Sequence, residues 1–185
     1  MNAYAFEQAL ARTKRICSAT KSNGIIHTTP FWDERFAVAC DEHPEVEAEQ
    51  VLIDALAAAL VRDPGRFDVI VASKLFGDIL SDLAAAAAGS IGIAPSANLN
   101  LEREHPSMFE SVHGSAPDIA GQALANPVGA VWSAAMRLEH VGEQAAAEAV
   151  MEAIEATLDE PETRTRDLGG TAATEQVPEA LVGRL

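Results

Sequence analysis

The chain is predicted to fold as an α/β protein, on three observations. Short apolar runs of strand length, at 16–20 and 69–72 among others, alternate with longer amphipathic stretches of helical period from one end to the other. Turn chemistry separates them, as in Lys21-Ser-Asn-Gly24 and Asp63-Pro-Gly65. The chain has 185 residues and 48% apolar content, which is enough to bury a core in one large domain or two small ones.

Taken in order, residues 4–15 carry Phe6, Ala9, Leu10 and Ala11 among charges, the pattern of an amphipathic helix. A strand at 16–20 ends in the turn that projects Lys21. Thr28-Thr-Pro then opens a helix with Pro30 in its first turn, and Trp32, Phe36 and Val38 are assigned to the core. A strand at 46–50 precedes an apolar helix at 51–62. Asp54 near its start must be exposed, paired or metal-bound, because an acid buried alone is costly. The strand at 69–72 follows, with Gly77 expected to make the turn and Asp78 to stand where the next helix begins. Ala84 to Ala88 favour helicity and close helix packing, and 89–96 reads as a tight glycine-bearing loop.

A strand at 107–112 leads into His113-Gly-Ser-Ala-Pro-Asp-Ile-Ala-Gly121, a polar loop of small residues suited to a planar ring and a diol. His113, Ser115 and Asp118 have the types of a hydrolytic triad but lack a nucleophile-elbow context. Asn126-Pro127 is an N-cap followed by proline, starting a core-facing helix with Val131, Trp132, Ala135, Met136 and Leu138. A long helix at 144–158, a charged connector, the Asp167-Leu-Gly-Gly170 turn and a short terminal helix complete the chain.

Net charge is −15, from 28 acidic and 13 basic residues, with no basic run longer than Lys14-Arg15, so nucleic acid is excluded as a partner. Cys17 and Cys40 stand alone, which fits buried thiols in a reducing, cytoplasmic setting. No export signal and no membrane-spanning run is visible.

Asp78 and Asp82 are four apart and share a helical face. Like charges at that spacing disfavour a helix by roughly 0.2–0.5 kcal/mol unless a cation offsets them. A hard divalent ion with oxygen ligands would do so; the competing reading is an N-cap and a wet face. Lys21, at a strand end, is a candidate general base if held near carboxylates.

Six segments together resemble the metal-dependent β-decarboxylating dehydrogenases, the isocitrate and 3-isopropylmalate dehydrogenase family. They are Lys21-Ser-Asn-Gly-Ile-Ile-His, Ile53-Asp-Ala-Leu, Leu75-Phe-Gly-Asp-Ile-Leu-Ser-Asp82, the 113–121 loop, Ala125-Asn-Pro127 and Asp167-Leu-Gly-Gly170. Ser96-Ala-Asn-Leu-Asn100 and Ser107-Met-Phe-Glu110 look nearest to its tartrate/D-malate dehydrogenase branch.

The resemblance implies an isopropylmalate-dehydrogenase-like three-layer α/β fold truncated at its N-terminus. Residues 1–88 would be part of a dimerisation and metal-binding domain, and 89–185 the C-terminal part of a cofactor-binding domain. It implies Asp78 and Asp82, with Asp54 of the partner subunit, as ligands of Mg²⁺ or Mn²⁺, and Lys21, also donated across the dimer, as the base that helps remove the hydroxyl proton. Asn23 would lie near the nicotinamide. His113, Gly114, Ser115, Ala116, Asp118 and Ile119 would bind adenosine, with Asn126 at the adenine. Asp118 accepts hydrogen bonds from a ribose diol and repels a 2′-phosphate, so NAD is preferred over NADP.

The implied reaction oxidises C2 of a 2-hydroxy dicarboxylic acid such as D-malate or tartrate, with β-decarboxylation, in a homodimer with shared active sites. 3-Isopropylmalate and isocitrate are alternative substrates. Two departures stand out. Family chains are about twice as long, the additional half lying upstream and carrying substrate-binding arginines and an acid tyrosine. Little or no turnover is therefore expected of these 185 residues alone. Lys74 also replaces an asparagine usual in the family, putting an ammonium where it can occupy cation space near Asp78. The other readings are a catalytically inactive dimerising or nucleotide-binding remnant, or a chain complementing a separate N-terminal half.

Overall fold

The computed structural model describes residues 1–185 and divides between Ala88 and Gly89 into two compact units, Met1–Ala88 and Gly89–Leu185. In the first unit the order is α1 (Asn2–Ala11), β1 (Arg15–Thr20), α2 (Thr29–Glu42), β2 (Glu47–Leu52), α3 (Ile53–Arg62), β3 (Val69–Val71) and α4 (Lys74–Ala87). The three strands are parallel in the order β2-β1-β3.

Because successive strand residues point to opposite faces, β1 serves two cores at once. Ile16 packs with Phe6, Ala9, Phe36 and Val71 under α1 and α2. Cys17 and Ala19 pack with Leu56, Leu60, Phe76 and Leu80 under α3 and α4. The unit is thus helix, sheet, helix in three layers. Ser18, fully buried between them, accepts the Trp32 indole N–H at 2.9 Å. The Cys17 thiol is pushed up to about 12, first by burial and then by the nearby Glu49 carboxylate. Both cysteines are free.

Three expectations fail here. The helix α4 starts at Lys74, not Asp78, with Ser73 in extended conformation before it. Gly77 lies inside the first turn, its N–H bonded to the Ser73 carbonyl at 2.7 Å, so it makes no turn. Burial of Phe76 and Leu80 outweighs the glycine's cost of about 1 kcal/mol. Val38 is exposed, because it lies on the far side of α2 from Phe36.

Asp68 fastens the α1–β1 turn to the start of β3. Its carboxylate accepts from Arg12 Nε at 2.6 Å, from the Thr13 N–H at 3.0 Å and from the Thr13 hydroxyl. The Thr13 hydroxyl, then Arg12, hold its pKa down at about 2. A depressed carboxylate adds stability that is complete above the ordinary carboxylate range, near 4, and is lost as pH falls toward 2. Asp68→Asn is expected to cost about 2 kcal/mol at pH 7. The difference between the two proteins in urea midpoint should shrink below pH 4; a difference constant from pH 7 to 2 would rule out the charge as its source.

The second unit holds β4 (Pro95–Asn98), β5 (Met108–Ser111), α5 (Val128–Val141), α6 (Gln144–Asp159) and α7 (Gln176–Val182). The two strands pair antiparallel. The supposed tight loop at 89–96 is thus a short 3₁₀ turn, Ile91–Ile93, leading into β4, whose first residue is Pro95, a position where proline costs no ladder bond. Helix α5 sits close against this hairpin. A side chain at Gly129 would come within 2.8 Å of the Gly92 carbonyl, and the Ser133 hydroxyl donates to the Glu110 carbonyl at 2.6 Å. The apolar core of the unit joins Val128, Ile154, Ala172, Val177 and Leu181. No helix is long and apolar enough to cross a membrane.

Candidate functional site

In the first unit, the candidate residues gather at the carboxyl ends of the parallel strands, the usual site position in such sheets. Lys21 follows β1 directly, Asp54 stands in the first turn of α3 after β2, and Asp78 and Asp82 lie on α4 after β3. The structure brings Lys21 and Asp54 together: the Lys21 Nζ donates to Asp54 Oδ1 at 2.6 Å. That hydrogen bond is the first cause of the lowered Asp54 pKa, so the acid stays ionised and the pair persists until pH falls below the ordinary carboxylate range. Asp54 is exposed and paired, one of the outcomes its position required. Asn23 is exposed in the turn after Lys21.

Lys74 also has a carboxylate partner. Its Nζ reaches Asp78 Oδ1 at 2.6 Å and Oδ2 at 2.5 Å, with both side chains largely exposed. The carboxylates of Asp54, Asp78 and Asp82 are hard oxygen donors of the kind Mg²⁺ and Mn²⁺ take. Within one copy, however, no three metal-ligating side chains come together. A single copy therefore does not fit the ion, and the Lys74 ammonium already lies on one of the donors.

The second unit contains a cavity of about 500 Å³ that is mostly apolar in lining. Its wall includes His113, Gly114, Ser115, Ala116, Ile119 and Asn126, so six of the residues expected at an adenosine subsite share one hollow. The loop from β5 bends through Ala116 at φ 40°, and Ala123, further along the wall, has φ 54°. Left-handed conformations cost about 1–3 kcal/mol in residues other than glycine, and such strain concentrates at ligand sites. His113 Nδ1 lies 3.0 Å from the Gly114 carbonyl. Asp118 is on the same loop but is not among the cavity's lining residues; it is exposed, its carbonyl accepting from the Gln122 amide at 2.6 Å.

Asn126 enters this wall one residue before the N-cap of α5, which is Pro127 and not Asn126 as the sequence suggested. Its Oδ1 accepts the Val128 N–H at 3.0 Å, so helix α5 starts one residue beyond Pro127 with one of its orphan donors satisfied. Its Nδ2 donates to Asp167 Oδ2 at 3.0 Å. Asp167 also accepts from the Ser90 hydroxyl and from Thr165 Oγ1 at 2.5 Å. Burial alone would raise the Asp167 pKa; the donors Ser90, Thr165 and Asn126 outweigh it, and the net direction is down. Ser90, Gly92, Asp167, Thr174 and Glu175 all line the cavity without having been assigned a place in it from sequence, although Asp167 belongs to one of the family-like segments. For Asp167 the available signal was a carboxylate beside a Gly-Gly turn.

The family model of isocitrate/isopropylmalate dehydrogenase matches residues 1–181. The chain is 50% identical to a probable tartrate dehydrogenase/decarboxylase of Bacillus subtilis, over 98% of its own length and 51% of the relative's. It is 49% identical to a D-malate dehydrogenase [decarboxylating] of Escherichia coli, covering 96% of this chain and 51% of that one. The crystal structure of an isocitrate dehydrogenase from Methylococcus capsulatus superposes with a TM-score of 0.93 at 38% identity, over 99% of this chain and 54% of that one. The chain thus spans about half the length of the curated relatives it matches. Agreement of profile, sequence and fold over nearly the whole of its length means that the chain belongs to the isocitrate/isopropylmalate dehydrogenase family.

Proposed function

We propose that these residues form the C-terminal portion of an NAD- and divalent-metal-dependent dehydrogenase that oxidises C2 of a 2-hydroxy dicarboxylic acid, D-malate or tartrate, with β-decarboxylation. The observation that carries the reading is the cavity of the second unit: six residues of the expected adenosine segment line it, in a chain half identical to relatives named for that chemistry. In this reading Met1–Ala88 is the dimerisation and metal-binding part and Gly89–Leu185 the cofactor-binding part. Free thiols at Cys17 and Cys40 suit a cytoplasmic setting.

The residues divide the work as follows. The cavity holds the adenosine of NAD against the 113–119 loop and Asn126, and Asp118 at its margin takes the ribose diol, which favours NAD over NADP. Asn23 would lie near the nicotinamide. NAD, when bound, accepts the hydride from C2. Lys21, supplied with Asp54 by the partner subunit, helps remove the hydroxyl proton when its amine is neutral, and Asp54, 2.6 Å from its Nζ within the same copy, keeps that side chain in place. Asp78 and Asp82 hold Mg²⁺ or Mn²⁺ together with Asp54 of the partner subunit, so the metal set is complete only in a homodimer.

A second reading is favoured by one observation, the Lys74 ammonium on Asp78. In it the chain keeps nucleotide binding but not metal chemistry, as a catalytically inactive dimerising or nucleotide-binding remnant.

Calorimetric titration with NAD and with Mn²⁺ separates the two. The leading reading expects both to bind, and expects Lys74→Asn to tighten Mn²⁺ by about tenfold, the scale on which one exposed unit charge acts through water on a divalent ion about 6 Å away. NAD binding with no Mn²⁺ binding, before and after the substitution, leaves the second reading. Binding of neither removes the dehydrogenase assignment.

A further inference from the structure

Asp167 lies at the meeting point of three distant parts of the second unit. Its Oδ2 takes the Asn126 amide at 3.0 Å and the Ser90 hydroxyl, and its Oδ1 takes Thr165 Oγ1 at 2.5 Å. The Ser90 oxygen in turn accepts the Gly92 N–H at 2.9 Å. There is no slack in this corner of the cavity. A side-chain carbon added at Gly92 would sit 2.9 Å from Asn126 Cβ and about 3.1 Å from both Asp167 Oδ2 and Ser90 Oγ.

The chemistry of the Asn126 amide makes its orientation depend on Asp167. The two ends of the group are unlike, one donating and one accepting. With Nδ2 on the carboxylate, Oδ1 faces the Val128 N–H, and both bonds form. Rotated half a turn, the amide would set oxygen against carboxylate and N–H against N–H, losing both. An ionised acceptor therefore selects one of two states, and charge-assisted hydrogen bonds are the stronger kind. Asn126 and Asp167 both line the cavity, so the selected state is also the one a ligand meets.

We propose that Asp167 is a positioning residue of the dinucleotide cavity, which fixes the Asn126 amide and thereby the polar wall against which the adenosine moiety binds. The inference rests on the proposed role of this cavity. It differs from it in assigning a function to a residue of the Asp-Leu-Gly-Gly turn that acts through another side chain.

The test measures affinity for ADP-ribose, by calorimetry, in the unsubstituted 185-residue chain and in Asp167→Asn, Asn126→Asp and the double exchange, with Tm recorded for each. Asp167→Asn is expected to weaken ADP-ribose binding about tenfold at pH 7.5, because a neutral side chain no longer selects the amide orientation. Asn126→Asp sets two carboxylates against each other; binding should be weak at pH 7.5 and recover as pH is lowered towards 5 and the pair shares a proton. The double exchange reverses donor and acceptor while keeping an oxygen on the Val128 N–H, and should return affinity to within about threefold of the unsubstituted chain. A lowered Tm with unchanged ADP-ribose affinity in Asp167→Asn, or a double exchange no better than the single ones, overturns the proposal and leaves the cofactor reading intact. No binding of ADP-ribose by the unsubstituted chain at millimolar concentration overturns the cofactor reading and this inference with it.

Discussion

Gly170→Ala is expected to destabilise the Gly89–Leu185 unit by about 3 kcal/mol, the upper part of the range for overpacking. The added methyl would lie 2.0 Å from the Arg164 carbonyl oxygen and 2.6 Å from its carbon, both backbone atoms with no rotamer to yield. The obstacle is fixed on both sides. The Gly170 N–H donates to the Thr165 carbonyl at 3.0 Å, and the Ala172 N–H donates to that same Arg164 oxygen at 2.9 Å. Thr165 is fully buried, so the strand of chain cannot move outward. Whatever displacement relieves the clash also moves Asp167, which lies inside the loop these bonds close. Urea unfolding followed by Trp132 fluorescence, in a Trp32→Phe background, measures the loss; an unshifted midpoint would show that residues 164–172 have room the backbone distances deny.

In the other unit, Phe6→Ala should cost about 4 kcal/mol, within the range for emptying a buried aromatic site. Phe6 has no exposed surface and joins α1 to α2: its ring centroid is 5.7 Å from that of Phe36 and stacks 5.0 Å from the His43 imidazole. Ile16 and Val71 bring the sheet to the same cluster. The loss is comparable with the lower end of total domain stability, so the variant should be partly unfolded at 25 °C. Trp32, packed against this cluster and bonded to Ser18, reports it. A loss under 1 kcal/mol would mean that α1 is held by something other than this ring.

Much of the secondary structure could be read from residue order because hydrophobic period and turn chemistry are local signals. The strand at 15–20 and the helices at 53–62 and 144–159 announce themselves by period and by their turns. The errors fall where a local signal met a tertiary one. Gly77 and Asp78 carry the marks of a helix start, yet burial of Phe76 pulls the helix back to Lys74. Val38 is apolar but two residues from Phe36, which on a helix is nearly the opposite side. The 113–121 loop stood out because it is contiguous, but its expected place at an adenosine, and that of Asn126, came only from the family resemblance. The place of Asp167 was not legible, since its partners Ser90 and Asn126 are 77 and 41 residues away in sequence. Pairing over such distances leaves no periodic trace. Lys74 and Asp78, four apart on one helix, did leave one, and their contact was foreseeable.

The middle strand of the first unit gives the protein a natural reporter. Only a thiolate reacts with alkylating reagents, and a Cys17 thiol held at about 12 within a closed layer offers almost none near neutrality. Reagent reaches that sulfur when the surrounding helices part, at a frequency set by the free energy of opening. Cys40, half-buried, is modified sooner. The lag between the two labels, followed by mass spectrometry, therefore counts openings of the interior without any engineered probe.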